Sequence, residues 1–503
     1  MDTPNDHDGT PVVPLELTPH FDVISIDDAI ERISYGWFQV RVLFAVGLCF
    51  ASDAVEILLL SILSILLRYY WKLSSYEAAF LTSVVFFGQF LGTLILGRLG
   101  DKRGRRPIFL VTALIIAIFG FATSLCQTFI ALLLVRMMVG FGVGGLLVPF
   151  DILAEVLPIA QRGRILIFIE YFWTLGTLIV PLFATLTLGN DQIDLDARPN
   201  GWRYFVALCA LPSFISMIVG YWLVPESPRW LVTVGKDKEA LVILRQAAKL
   251  NQIDPNAVFP EGIRLKPEEP EAATLMDLFT PEWRWITINL WITWAGFAFL
   301  YYGTILSTSL IFSSQSSNAS SDLDLDYRAT FLFPGVAEVL GTSLAIHTID
   351  KIGRVKLQAI SYSLGGLSLL ILMIVASKTN NDESSSRLAL IAFTMLARMF
   401  HMSGNITTWV ATSEILTTDI RTTGHSAANA CARLGAFCAP FLVQSSTSPL
   451  AIGGTLWLVS IVTTIAATQL PETKGKTMGL HRNHMDTAVN QGNSVSHQLP
   501  TVT

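Results

Sequence analysis

The chain has 503 residues, 52% of them hydrophobic and only 15% charged, against about 25% charged in soluble domains. So little polar surface excludes a string of soluble domains and argues against disordered or fibrous classes. The formal charge of −5 leaves no basic footprint for nucleic acid.

Residues 1–21 are polar, acidic and proline-containing, without the apolar core of a secretory signal, and read as a disordered tail. Apolar segments follow at 42–66, 79–99, 108–126, 129–150, 165–188 and 204–224. A charged, proline-rich stretch at 225–284 separates them from six more, at 286–312, 328–349, 357–376, 388–412, 424–444 and 448–470. Residues 471–503 form a second polar tail. A span needs roughly 20 apolar residues, so twelve would use about 240, near half the chain. The spacing predicts an all-α integral membrane protein with twelve transmembrane helices. They fall into two six-helix halves, 22–224 and 285–470, joined by a 225–284 linker.

The basic residues alternate in step with this count. Arg98, Lys102, Arg103, Arg105 and Arg106 lie between spans 2 and 3, and Arg162 and Arg164 between 4 and 5. Lys351, Arg354 and Lys356 lie between 8 and 9, and Arg421 between 10 and 11. The 3–4 and 11–12 connections have no Lys or Arg. The positive-inside rule then places both termini and the 225–284 stretch in the cytoplasm. The sequon Asn318-Ala319-Ser320 falls on the predicted outer face, where Asn318 is a candidate for glycosylation. Five cysteines, Cys49, Cys126, Cys209, Cys431 and Cys438, show no CxxC or Cys/His spacing. They read as free, buried thiols, with no disulfide or metal site.

The halves repeat. Asp101-x-x-Gly104-Arg105 recurs 249 residues on as Asp350-x-x-Gly353-Arg354. Glu155 and Arg162 recur as Glu414 and Arg421 after 259, and Pro225-Glu226-Ser227 as Pro471-Glu472-Thr473 after 246. Three matches in order, at nearly one offset, argue for two related halves around a midplane site, a transporter architecture.

These motifs carry a resemblance. Gly97-Arg98-Leu99-Gly100-Asp101-Lys102-Arg103-Gly104-Arg105-Arg106 resembles the signature between spans 2 and 3 of the major facilitator superfamily. Pro225-Glu226-Ser227-Pro228-Arg229-Trp230-Leu231 and Pro471-Glu472-Thr473-Lys474-Gly475 resemble the ends of spans 6 and 12 in its sugar and organic-ion branches. Four further stretches resemble the synaptic-vesicle-protein-related group, which includes nicotinate-transporter-like members. They are Ser52-Asp53-Ala54-Val55-Glu56, Leu278-Phe279-Thr280-Pro281, Tyr301-Tyr302-Gly303 and Ala432-Arg433-Leu434-Gly435-Ala436. The segment from Asp27 to Gly36 fits that group too. The likeness covers roughly residues 22–480, and departs at Thr417, where the group has proline, and at Val355.

Ionisable groups inside spans are costly and so are functional candidates. Asp53 and Glu56 are i, i+3 in span 1 and share a helix face. Two close carboxylates could hold one proton between them, as proton coupling requires. The alternative is structural pairing with a basic group. Arg433 in span 11 presents a guanidinium that forks onto carboxylates. In related organic-ion transporters, the resemblance implies, arginine at this place goes with anionic substrates. The alternative is a counterion for Asp53 or Glu170. Glu170 in span 5 and Glu338 in span 8 are further candidates for the solute site, as are Tyr301 and Tyr302. Arg398 and His401 in span 10 are buried candidates, with His401 more simply satisfied by a neighbour. Tyr171, Trp173, Trp294 and Trp409 could stack on a flat solute or merely pack.

By matched position, the resemblance implies a conformational latch on the cytoplasmic side. Asp101, Arg105, Arg106, Glu155, Arg162 and Glu226 would form it in the first half, and Asp350, Arg354, Glu414, Arg421 and Glu472 in the second. Gly140-x-Gly142-x-x-Gly145 matches a dinucleotide fingerprint only formally, because it lies inside an apolar span. It reads as close helix packing. No triad, metal cluster or Walker lysine points to an enzyme or a cofactor.

The reading is a monomeric secondary transporter working by alternating access, most simply a proton symporter of a small organic anion. It would sit in the plasma membrane or a vesicle membrane. A facilitative sugar or polyol porter is the first alternative. A membrane receptor or vesicle component that binds without transporting is the second.

Overall fold

The computed structural model describes residues 23–189, 192–194, 199–267, 274–313, 322–324, 326–378, 384–445 and 448–474. Asn318 and most of both polar tails lie outside the described residues.

Twelve long helical spans are present among the described residues. Those of the first half are Trp37–Tyr70, Ser75–Arg103, Arg105–Leu125, Phe129–Val156, Gln161–Leu188 and Gly201–Leu223. Those of the second half are Arg284–Ser313, Arg328–Ile352 and Arg354–Lys378, Ser384–Ile415, Thr418–Ser445 and Pro449–Thr468. Eleven are long and apolar enough to cross a membrane by composition alone. Span 10, Ser384–Ile415, falls outside that set and carries Arg387, Arg398, His401, Asn405 and Glu414. Of these, Arg398 and His401 are buried inside the bundle, whereas Arg387 is largely exposed near the start of the helix and pairs with Asp326. Several helices run past the apolar runs that mark them in the sequence, because a helix continues beyond the hydrocarbon while its caps allow. Span 1 begins at Trp37 and not at residue 42. Span 2 begins at a capping box, in which Ser74 Oγ accepts from Glu77 N and Glu77 Oε2 from Ser74 N.

Small residues set the closest helix contacts. A Cβ on Gly140 would lie 2.0 Å from Val85 O, and one on Gly144 2.3 Å from Gln89 O. Span 4 is therefore seated directly on span 2 through its glycines. Spans 11 and 7 meet likewise at Gly435, where a Cβ would lie 2.1 Å from Ala295 O.

The face bearing the basic connections carries a folded module where the sequence suggested a plain linker. A short helix, Ile26–Ile33, buries Ile26, Ala29, Ile30 and Ile33. It packs against helix Asp237–Leu250, and strand Val23–Ile24 pairs in parallel with Arg264–Leu265. Asn251 fastens the module to span 1, accepting from Phe38 N at 2.8 Å and donating to Ile33 O at 2.9 Å.

The opposite face is closed. Leu58, Leu59, Ile62, Leu63 and Leu66 of span 1 share one apolar cluster with Ile305, Leu306 and Phe312 of span 7. Strand Gln192–Asp194 pairs antiparallel with Asp322–Asp324 across the halves. Ser83 Oγ donates to Phe437 O at 2.8 Å, and Gln444 Nε2 donates to Ser64 Oγ at 3.3 Å.

All five cysteines are free. Cys49, Cys126 and Cys209 are buried, but Cys431 is half-buried and Cys438 exposed, which corrects the expectation of five buried thiols. The two lie two helical turns apart on one outward side of span 11.

Candidate functional site

A cavity lies between the halves. Span 1 contributes Phe50 and Asp53, span 4 Leu146 and Leu147, and span 5 Glu170 and Trp173. Span 7 contributes Phe297, Ala298, Tyr301 and Tyr302, span 10 Asn405 and Trp409, and span 11 Asn429, Ala432 and Arg433. An apolar, aromatic wall with a few polar groups is the usual build of a small-molecule site.

Arg433 crosses the interface between halves. Its Nη1 donates to Gln89 Oε1 at 2.8 Å and to Tyr302 OH at 3.3 Å, while its Nε has no hydrogen-bond partner among the described residues. Asp53 lies on the same cavity, buried, with Oδ1 also unpartnered. Orphaned charged atoms inside a protein are costly, and both residues line this cavity.

Glu56 does not join Asp53 at the cavity. Its Oε2 lies 2.9 Å from Arg136 Nη1 in span 4, and both side chains are fully buried. Three residues rotate the helix through about 300°, so neighbouring positions still diverge by some 60°. That angle turns Glu56 toward span 4 and Asp53 toward the cavity. The structural alternative for Glu56 is thus the arrangement seen. Its partner Arg136 escaped the sequence reading because Arg136 sits among glycines and aliphatics with no recognisable motif.

Glu338, expected to touch solute, lies one layer behind the wall. It is ion-paired with Arg398 and accepts from Tyr301 OH at 2.7 Å. Trp173 Nε1 donates to the same Tyr301 oxygen at 2.7 Å, and the Arg398 guanidinium stacks 4.6 Å from the Tyr301 ring centre. Tyr301 therefore carries a buried ion pair to the cavity wall. Glu170 faces the cavity and has no ion-pair partner among the described residues.

His401 is buried beside Thr304, with Nδ1 at 3.1 Å from its Oγ1, and does not line the cavity. Tyr171 sits 3.2 Å from Ser343 Oγ, and Trp294 donates to Thr412 Oγ1 at 2.9 Å; neither lines the cavity. An aromatic cluster toward the basic face has no signature in the sequence. Phe150 of the first half meets Trp409 at 5.3 Å and His425 at 6.2 Å between ring centres, both in the second half.

The repeated motifs build two matching networks. Arg105 pairs with Asp101 at 2.8 Å and with Asp151 and Glu155 at 3.3 Å. Arg354 pairs with Asp350 at 2.9 Å and forks onto Glu414 at 2.8 Å. Glu226 accepts from the backbone N–H of Arg105 and Arg106, and Glu472 from those of Arg354 and Val355. Ser227 donates to Glu155 as Thr473 does to Glu414. Partial burial pushes the Glu472 carboxyl up. The backbone N–H groups of Arg354, Lys474, Val355 and Thr473 outweigh it and hold the group below the usual carboxylate range.

Three latch residues take other partners. The Arg106 guanidinium donates to Val224 O and Tyr221 O, both at 2.8 Å, so only its backbone joins the network. Arg162 reaches Asp27 of the short leading helix at 3.6 Å and donates to Leu157 O. Arg421 donates to Leu416 O at 3.2 Å, which repeats the Arg162–Leu157 bond. Asp151 strengthens the first-half network and has Val410 at its repeat position, so the second copy lacks it.

A family model described as sugar (and other) transporter matches residues 52–483. The chain is 30% identical over 452 residues to the synaptic vesicle 2-related protein of Xenopus laevis, covering 87% of this chain and 78% of that protein. It is 29% identical over 480 residues to the putative transporter SVOPL of Homo sapiens, covering 90% and 93%. It is 27% identical over 457 residues to organic cation/carnitine transporter 7 of Arabidopsis thaliana, covering 83% and 87%. The xylose transporter XylE of E. coli, solved in a partially occluded inward-open conformation, superposes with a TM-score of 0.66. That match has 20% identity and covers 88% of this chain and 99% of the other.

Proposed function

The chain belongs to the sugar (and other) transporter family of the major facilitator superfamily and is a multi-pass membrane transporter, and on that premise we propose that it is a proton-coupled symporter of a small organic carboxylate. One observation carries the reading. Arg433 faces the central cavity with a donor to spare, opposite the unpartnered Asp53 oxygen. A solute carboxylate would fork onto the guanidinium and displace Gln89 and Tyr302.

Asp53 at the cavity and Glu56 on Arg136 are the proposed coupling groups. A proton on Glu56 releases Arg136, and its loss restores the pair. Such a pair has two states that an external proton gradient can bias. Tyr301, Tyr302 and Glu170 would contact solute, and Glu338 would act through Tyr301. Each of the two networks ties together spans of its own half, Arg105 with Asp101, Asp151 and Glu155 and Arg354 with Asp350 and Glu414, and would act as a latch by breaking and reforming as those span ends move between states.

The distribution of basic residues supports a cytoplasmic location for both termini and the 225–284 module. The closed apolar face is then extracellular or lumenal, and the Phe150–Trp409 contact covers the cytoplasmic side. This supports an inward-facing, nearly occluded state. The proposed boundaries are 22–224 and 285–470 for the halves, acting as a monomer in the plasma membrane or a vesicle membrane.

A facilitative sugar or polyol porter is the second reading, favoured by Asn405 and Asn429 on the cavity wall. The deciding experiment is uptake into proteoliposomes of carboxylates, amines and sugars, with and without an inward proton gradient. Gradient-driven carboxylate uptake, lost in Arg433→Ala and Asp53→Asn, is the expected result. Gradient-independent sugar uptake that survives Arg433→Ala would replace the first reading by the second.

A further inference from the structure

The charges toward the middle of the spans do not cancel. Four carboxylates, Asp53, Glu56, Glu170 and Glu338, face three guanidiniums, Arg136, Arg398 and Arg433. Glu56 holds Arg136 and Glu338 holds Arg398. Arg433 remains for both Asp53 and Glu170, and all three line one cavity. The cavity therefore has one carboxylate too many for its own cation.

The hydrogen-bond inventory leans the same way. Asp53 Oδ1 and Asn405 Oδ1 are buried acceptors without a donor among the described residues. A plain carboxylate solute brings only acceptors. It would satisfy Arg433 and leave these atoms and Glu170 unpaired beside new negative charge. We infer that the solute is a zwitterion, with its carboxylate on Arg433 and a protonated amine at Glu170 and Asn405. The inference rests on the carboxylate reading above and narrows it. The same wall is aromatic, with Trp173 and Tyr301 lining the cavity beside Glu170 and their ring centres 6.2 Å apart, a lining that tolerates an ammonium group.

Zwitterion and proton then load together: with the amine on Glu170 and the carboxylate on Arg433, Asp53 is the carboxylate left over and takes the coupled proton. That gives Glu170 a role in choosing solute that is separate from the Glu56–Arg136 pair.

The test is calorimetric titration of the purified full-length protein with matched compounds: acetate and glycine, butyrate and 2-aminobutyrate, butyrate and 4-aminobutyrate. At least one amino acid is expected to bind about tenfold or more tighter than its deaminated parent, the factor of one charge-assisted contact excluded from water. In Glu170→Gln that ratio is expected to fall toward one. The ratio is internal to each protein, so a loss of active fraction does not move it. Parents binding as tightly as their amino derivatives overturn the zwitterion while leaving the carboxylate reading intact. So does an unchanged preference in Glu170→Gln. Failure of every carboxylate, amino or not, to bind overturns the carboxylate reading and this inference with it.

Discussion

Glu56 and Arg136 meet at 2.9 Å inside the first half, with side chains 1% and 0% exposed. Neither touches the cavity, yet Asp53 does, one helical turn away. Span 1 thus joins a buried ion pair to the cavity wall within a single element, and both proposed coupling groups ride on it.

Removing one partner of such a pair leaves a buried charge alone, at a cost of about 3–5 kcal/mol. Glu56→Gln should lower thermal stability by about that amount and abolish gradient-driven accumulation. Glu56→Gln with Arg136→Met should regain most of the stability and none of the coupling. Thermal unfolding and uptake on the same preparations check this. Coupled uptake in the double variant would remove the pair from the mechanism.

Gly104 has φ +106° and Gly353 φ +98°, a region L side chains avoid. A Cβ on them would lie 2.5 Å from Glu226 Oε2 and 2.6 Å from Glu472 Oε2. Gly104→Ala should break the carboxylate cradle and slow transport severalfold while solute affinity stays within about twofold, since the latch is remote from the cavity. Asp101→Asn should act in the same direction but more weakly, because Arg105 keeps Asp151 and Glu155. A large affinity loss with a normal maximal rate in either variant contradicts the latch.

Phe150 bridges the halves to Trp409 and His425. An aromatic contact of this kind is worth about 1 kcal/mol, or roughly fivefold in a rate. Phe150→Ala should speed solute dissociation by about that factor, measured by rapid dilution from loaded protein. An unchanged rate would mean that the ring contact packs the structure without gating it.

Glu472 is held below the usual carboxylate range by four backbone N–H groups. Its folded-state value is depressed, so its stabilisation is complete above the ordinary value of about 4.3 and fades as pH falls through the lowered one. The stability difference between wild type and Glu472→Gln should therefore be largest near neutral pH and shrink below pH ~4. A difference independent of pH would contradict the bonding pattern.

The fold and the two motif networks were largely legible in the sequence. Apolar length gives the spans, and the paired Asp101/Asp350, Glu155/Glu414 and Glu226/Glu472 motifs give the two networks, because backbone geometry fixes what sits beside them. Span 10 was legible despite its charges because its apolar residues still run from 388 to 412. The cavity was only half legible. Asp53, Arg433, Glu170, Tyr301 and Tyr302 were found because charged and paired aromatic residues stand out in apolar runs. Gln89, Asn405, Asn429 and Phe150 were not, since one amide or one ring in a span is ordinary. Sequence spacing also placed Glu56 with Asp53 and left out Arg136, whose approach depends on how span 4 packs on span 1. Arg162 was drawn to Asp27 by the module around Ile26–Ile33, which no pattern within the spans announces.

The central claim is that solute carboxylate and proton cross together. Proteoliposomes loaded with a pH dye and held without any imposed gradient test it directly. Adding the transported carboxylate outside should acidify the lumen in wild type and not in Glu56→Gln or Asp53→Asn. Solute entry in wild type with no change in lumenal pH would contradict proton symport, whatever the solute proves to be.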